Sequence, residues 1–202
     1  MPDPIALAPV ALAFDTSAAH CAAALLSGDR VLAERAEPMT KGQAERLFPL
    51  LEELLNEAGI EWRDLSVIGV GIGPGNFTGI RIAVAAARGL ALSLKIPAVG
   101  IGVTEAAALD LPRPCRVVIP ARNDLVIWQD FGTDAADDRP SQAEAASLPP
   151  GPAPSEPLMP LAVAMARIAL MRRGDPGPRP APLYLRPADA APARDKPPVL
   201  LP

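Results

Sequence analysis

Residues 80–95 read IRIAVAAARGLALSLK, a helix-forming stretch with almost no polar side. Its charged residues, Arg81, Arg88 and Lys95, fall seven apart and form one narrow stripe, and nearly everything else is apolar or small. A helix on the surface of a globular domain carries a polar half, and this one does not. A single sheet can cover only one of its faces. The other face is either sandwiched inside the same domain or docked on the helices of a partner. Ala87 and Gly89 are candidates for a close helix–helix contact, because small side chains let backbones approach. The apolar run is interrupted by Arg81 and Arg88 and falls short of the roughly 18 residues that a membrane span needs, so no membrane association is expected.

The helix is entered from a glycine-rich turn, residues 73–79, that follows a short β-branched strand over 67–72. Upstream, residues 10–14, 21–26 and 31–37 read as three strands, with Ser27-Gly28-Asp29 supplying turn chemistry. Their short connections predict an antiparallel meander. A first helix follows. Thr40 and Gln43 stand at capping-box spacing. Leu47, Leu50, Leu51, Leu54, Leu55 and Ala58 recur at helical period, and Gly59 is a suitable C′ residue. Pro49 lies inside this pattern and predicts a kink. A fifth strand covers 97–101. Three antiparallel strands followed by crossover helices and parallel strands is the order of an α/β, ribonuclease-H-like fold, the one shared by actin-like ATPases.

Beyond residue 102 the pattern weakens. A short helix from Thr104 to residue 109 and a hairpin of 116–121 with 125–131 around Asn123-Asp124 are expected. Residues 132–157, rich in Ala, Pro, Asp and Ser, read as a linker or mobile loop. One more helix carries Leu161, Ala164, Met165 and Ile168 and closes at Arg172, Arg173 and Gly174. The Pro-rich tail surrounds one strand-like piece, Leu183-Tyr184-Leu185. The domain reading is an N-terminal lobe, 1–110, and a shortened second lobe, 111–202.

Composition narrows the function. The net charge of −4 lacks the basic footprint of a nucleic-acid binder. Cys21 and Cys115 are the only two cysteines and form neither a disulfide framework nor a metal-ligand spacing, which points to a reducing, cytoplasmic setting. The apolar start lacks a basic n-region and reads as a strand rather than a signal peptide.

The chemistry-bearing candidates are few. The glycine turn opens a helix, so its amides could meet a phosphate. It lacks the Gly-Lys-Ser/Thr of a P-loop and is out of step with the dinucleotide fingerprint. The plainer reading is a tight turn that needs glycine dihedrals. Asp15-Thr16-Ser17 ends the first strand, where this fold class often meets phosphate or metal, although Asp15 could equally cap the hairpin turn. Asp15, Thr16, Ser17, Gly73 and Gly75 are therefore a weak candidate phosphate or nucleotide contact. A two-metal nuclease would need more carboxylates. His20 is the only histidine, which excludes a paired-histidine zinc site and favours a turn or surface role. Glu45, Glu52, Glu53 and Glu57 are the solvated face of the first helix. No catalytic residue and no metal ligand is assigned. A stand-alone ATPase or kinase of this fold is the alternative; it would need a second phosphate-binding turn, and residues 102–202 contain no Gly-Gly.

Six segments, AFDTSAAHCAAALL, GQAERLFPLLEELL, GVGIGPGNFTGIRIAVAAARGLAL, PAVGI, ARNDLVIWQDF and APLYLR, resemble the TsaB (YeaZ) family of bacterial tRNA threonylcarbamoyladenosine biosynthesis subunits, of the wider glycoprotease family. The resemblance covers 9–131 well and the rest in fragments. It implies an actin-like ATPase fold with a degenerate second lobe and no catalytic or peptidase activity of its own. It implies pairing with a catalytic paralogue, TsaD, which carries the metal and modifies adenosine 37 of tRNAs reading ANN codons, and with TsaE, a small P-loop ATPase. ATP and metal are then expected in those partners, no cofactor on this chain alone, and tRNA contact through the complex. The first two helices form a bundle with the paralogue in this family. That places Leu47, Leu51, Leu54 and Leu55 of the first helix, and Arg81, Val84, Ala87, Arg88, Gly89 and Ala91 of the second, at the contact. Without the paralogue, the same apolar pair should meet a copy of itself as a homodimer. Two departures stand out: Gln43 occupies a position where many members have His, and the second lobe is short.

Overall fold

In the computed structural model, which describes residues 8–132 and 139–185, β1 (Val10–Asp15) is buried along its whole length. It is the central strand of a five-stranded sheet ordered β3-β2-β1-β4-β5. The expected meander is there. β2 (His20–Ser27) pairs antiparallel with both β1 and β3 (Arg30–Pro38). β4 (Leu65–Gly71) runs parallel to β1, and β5 (Ala98–Ile101) parallel to β4. Residues 1–7, expected to begin the first strand, lie outside the described residues.

The two faces of this sheet are built from different side chains, because successive residues of a strand point to opposite sides. Leu12, Phe14, Leu25, Ile68 and Val70 face α1 (Gln43–Ala58) and α2 (Phe77–Leu94). Ala11, Ala13, Ala22, Ala24 and Val67 face α4 (Leu161–Arg172). Alanines on that side let α4 approach closely. A Cβ at Gly69 would lie 3.0 Å from Ala13 Cβ and 3.1 Å from Ala169 Cβ. α4 is buried from Ala162 to Ala166 and again from Ile168 to Leu170. It packs against the five-stranded sheet and α3 (Val103–Ala107), so the chain leaves this sheet after α3 and returns to it at 161.

The helix ends differ from expectation at one place. The capping box of Thr40 and Gln43 does not form. Gly42, in the left-handed region at φ 91°, is the N-cap, and Gln43 Nε2 donates to Met39 O instead. Gly59 closes the helix at φ 65°, as read from the sequence, and α1 runs through Pro49 as one element. On the outer side Arg46 donates to both Glu37 and Glu53 and holds their carboxyls below the usual carboxylate range.

α2 is, by length and composition, apolar enough to cross a membrane, with a mean hydropathy of 1.4 and 28% of its residues buried within the fold. Its connections forbid crossing. β4 and β5 are hydrogen-bonded neighbours in one sheet, so both ends of α2 return to the same sheet and the helix must lie along it.

The second lobe is a three-stranded antiparallel sheet, β6 (Cys115–Pro120), β7 (Leu125–Phe131) and β8 (Ser141–Glu144). Asn123 and Asp124 turn the hairpin with φ of 58° and 57°, the left-handed conformation that Asn and Asp tolerate. The stretch expected as a linker is partly built into this sheet. β8 comes from it, and Pro154 bridges to Arg116. Arg116, 4% exposed, holds it there: the guanidinium pairs with Asp130, donates to Pro149 O at 2.6 Å and lies over the Trp128 ring. Residues 133–138 of that stretch and the tail from 186 lie outside the described residues. Cys21 and Cys115 are buried free thiols, and burial foremost pushes Cys21 up to about 11.

Candidate functional site

The glycine turn closes on the chain's own first strand end. Asn76 N donates to Ser17 O at 2.6 Å, and Thr16 Oγ1 donates to Gly79 O at 2.6 Å. A Cβ at Gly75 would lie 2.3 Å from Ser17 O, and one at Gly79 only 1.8 Å from Thr16 O. These two glycines are needed for close approach rather than for dihedral freedom. Only Gly73, at φ 96°, adopts the left-handed conformation that the plainer reading supposed. Asn76 caps α2 by accepting from Gly79 N at 3.0 Å. Of the residues considered for a phosphate, Asp15, Thr16, Ser17 and Gly75 are brought together, whereas Gly73 packs against Ile80 and Leu183. Asp15, Ser17 and Gly75 also line an open cleft.

Asp15 is 1% exposed. Its Oδ2 accepts from Ser17 N and Ser17 Oγ and lies 2.7 Å from His20 Nε2. Its Oδ1 is buried without a partner, pressed toward Gly71, where a Cβ would fall 2.0 Å away. The pair Asp15–His20 ties the mouth of the β1–β2 hairpin, consistent with a turn role for His20. Sequence reading named both residues without joining them; their spacing of five across a hairpin was the available signal. The pair borders a cleft of about 870 Å³ between the lobes, lined also by Asn76, Arg122, Gln142 and Tyr184. Among the described residues no group of three or more His, Cys, Asp and Glu gathers where an ion could bind.

The docking face predicted for the first two helices is only partly presented. Leu47, Leu51, Leu54 and Leu55 are buried under the chain's own sheet, as are Val84 and Ala87. These six face inward, because a five-stranded sheet is wide enough to take the leucine stripe of α1 and the inner face of α2 side by side. Arg81, Arg88 and Gly89 are exposed, and Ala91 is half-buried. They share the outer side of α2 with Ala85 and with Leu92, which is 79% exposed. A Cβ at Gly89 would meet nothing within 4 Å. Phe48 of α1 and Phe77 at the head of α2 add exposed apolar surface.

Two residues of this face were not singled out from the sequence. Arg81 Cζ lies 3.7 Å over the Phe77 ring, and Arg81 Nε donates to Tyr184 OH at 2.9 Å. Phe77 and Tyr184 stack with centroids 4.9 Å apart. The Phe77–Arg81 spacing of four was legible on a helix. Tyr184 arrives from the strand-like piece, which forms no strand but anchors by Leu183 N donating to Ile72 O at 2.8 Å.

Comparison with known proteins agrees with the fold and with the resemblance. The family model for TsaD, tRNA N6-adenosine threonylcarbamoyltransferase, matches residues 31–148. YeaZ from Pseudomonas aeruginosa superposes with a TM-score of 0.66 at 27% identity, covering 88% of this chain and 100% of that one. A further crystal structure, of an uncharacterized protein with similarity to peptidase YeaZ from Pseudomonas aeruginosa, gives a TM-score of 0.68 at 26% identity with the same coverage. No curated protein matches the chain. The chain thus belongs to the TsaD, or glycoprotease, family, and within it is a TsaB-like protein with the actin-like ATPase type of fold.

Proposed function

We propose that this chain is the non-catalytic, cytoplasmic scaffold subunit of the assembly that installs threonylcarbamoyl on adenosine 37 of tRNAs reading ANN codons. It docks a TsaD-like catalytic paralogue through the outer sides of α1 and α2, and a TsaE-like ATPase joins the pair. The observation that carries this is the outer side of α2: Ala85, Gly89 and Leu92 are left uncovered on a folded chain of the TsaD family. Exposed apolar and small residues on a helix of this length suit another helix better than water. Residues 102–202 contain no Gly-Gly for a second phosphate-binding turn, which favours an accessory role over a stand-alone ATPase.

Reconstitution tests the reading. The purified paralogue and ATPase are expected to modify tRNA only when this chain is added, and this chain alone is expected to modify no tRNA and cleave no peptide. Modification by the paralogue without it, or turnover by a contaminant-free sample of this chain, would overturn the assignment. The same uncovered face is expected to make the isolated chain dimerise. Sedimentation at high micromolar concentration checks this, and a monomer there counts against the face.

A further inference from the structure

We infer that Arg81 is a pre-oriented anchor for a carboxylate on the docking partner, and that Tyr184 is the residue that positions it. The inference rests on the docking reading above and names the chemistry of the partner's surface. Arg81 is exposed, yet it is not free to sweep. Its Cζ lies 3.7 Å over the centre of the Phe77 ring, and its Nε–H is held by Tyr184 OH at 2.9 Å. The ring contact and one hydrogen bond restrain the guanidinium and leave its two terminal nitrogens without an acceptor among the described residues. A guanidinium in that state presents a planar fork, which matches a carboxylate bidentately. Holding the fork in advance also lowers the entropy lost on binding.

The charge pattern of the helix selects a protein carboxylate over an RNA phosphate. Among the described residues no carboxylate pairs with Arg81, Arg88 or Lys95, the three charged residues of the helix and its cap. They repeat every seven residues, about 10 Å along the axis. A second helix laid alongside presents acidic side chains at the same interval, and the small residues between the cations, Ala85 and Gly89, leave room for it. A net charge of −4 on this chain opposes a polyanion.

The experiment measures affinity between this chain and its purified TsaD-like paralogue at several salt concentrations, with the melting temperature of each variant taken in the same preparation. Arg81→Gln is expected to weaken binding about thirty-fold and to flatten the salt dependence. Tyr184→Phe, which keeps the stack and removes the hydroxyl, is expected to weaken binding about three-fold while keeping the wild-type salt dependence. Arg81→Lys should fall between wild type and Arg81→Gln. Arg30→Gln, a change at an exposed cation on β3, should bind as wild type. Arg81→Gln binding within two-fold of wild type, with unchanged melting, would overturn the inference and leave the docking reading standing. Loss of tRNA binding with intact paralogue binding would assign the fork to phosphate and likewise overturn it. A wild-type chain that does not bind the paralogue would overturn both.

Discussion

Ala87→Leu is expected to destabilise the fold, whereas Gly89→Leu, two residues along the same helix, is expected to leave it folded and separate it from its partner. Ala87 is fully buried in the cluster that joins α1, α2 and the sheet. Three more carbons there have no space, and overpacking of a tight core costs about 1–3 kcal/mol or more. At Gly89 the added atoms meet nothing within 4 Å. Replacing a mid-helix glycine also favours the helix by up to about 1 kcal/mol, so melting should hold or rise by about 2–4 °C. A leucine projecting from the contact face would keep a partner helix away, and a loss of about 3 kcal/mol is more than a hundred-fold in affinity. Melting and paralogue binding, measured together for both variants, check this. Full binding by Gly89→Leu would show that the contact lies elsewhere, and wild-type melting of Ala87→Leu would show that the inner face is misassigned.

Gly79→Ala is expected to be the most destabilising single-methyl change in the protein. The new Cβ would fall 1.8 Å from the backbone oxygen of Thr16. A backbone carbonyl cannot rotate away as a side chain can, so the turn and the end of β1 must separate. That breaks the Thr16 Oγ1–Gly79 O and Asn76 N–Ser17 O hydrogen bonds, both at 2.6 Å. The expected cost is about 4 kcal/mol or more, which lowers the melting temperature by about 10 °C. Gly174→Ala is the control, because its Cβ would meet nothing within 4 Å. A thermal scan in which Gly79→Ala melts within about 2 °C of wild type would mean that the turn is not packed as described.

The sequence alone determined the order of elements. The meander, the first two helices, the glycine turn and the Asn123-Asp124 hairpin were all legible, because each depends on periodicity or on turn chemistry between near neighbours. That α2 must meet something on more than one side was legible for the same reason. What the tertiary structure decided is which side meets what. Periodicity marks Leu47, Leu51, Ala87 and Gly89 alike as unsuited to water; only the width of the sheet shows that the first three are covered by the chain itself and the last is not. The Pro- and Ala-rich composition of 132–157 argued for a loose segment; within its described part, 139–157, a single buried arginine, Arg116, reaches Pro149 O and pairs with Asp130. α4 packs against the five-stranded sheet, and Tyr184 meets Arg81 across 103 residues of chain, for one physical reason: such contacts are chosen by the shape of surfaces that exist only once the sheet has formed, and no local pattern encodes which distant segment will fill them.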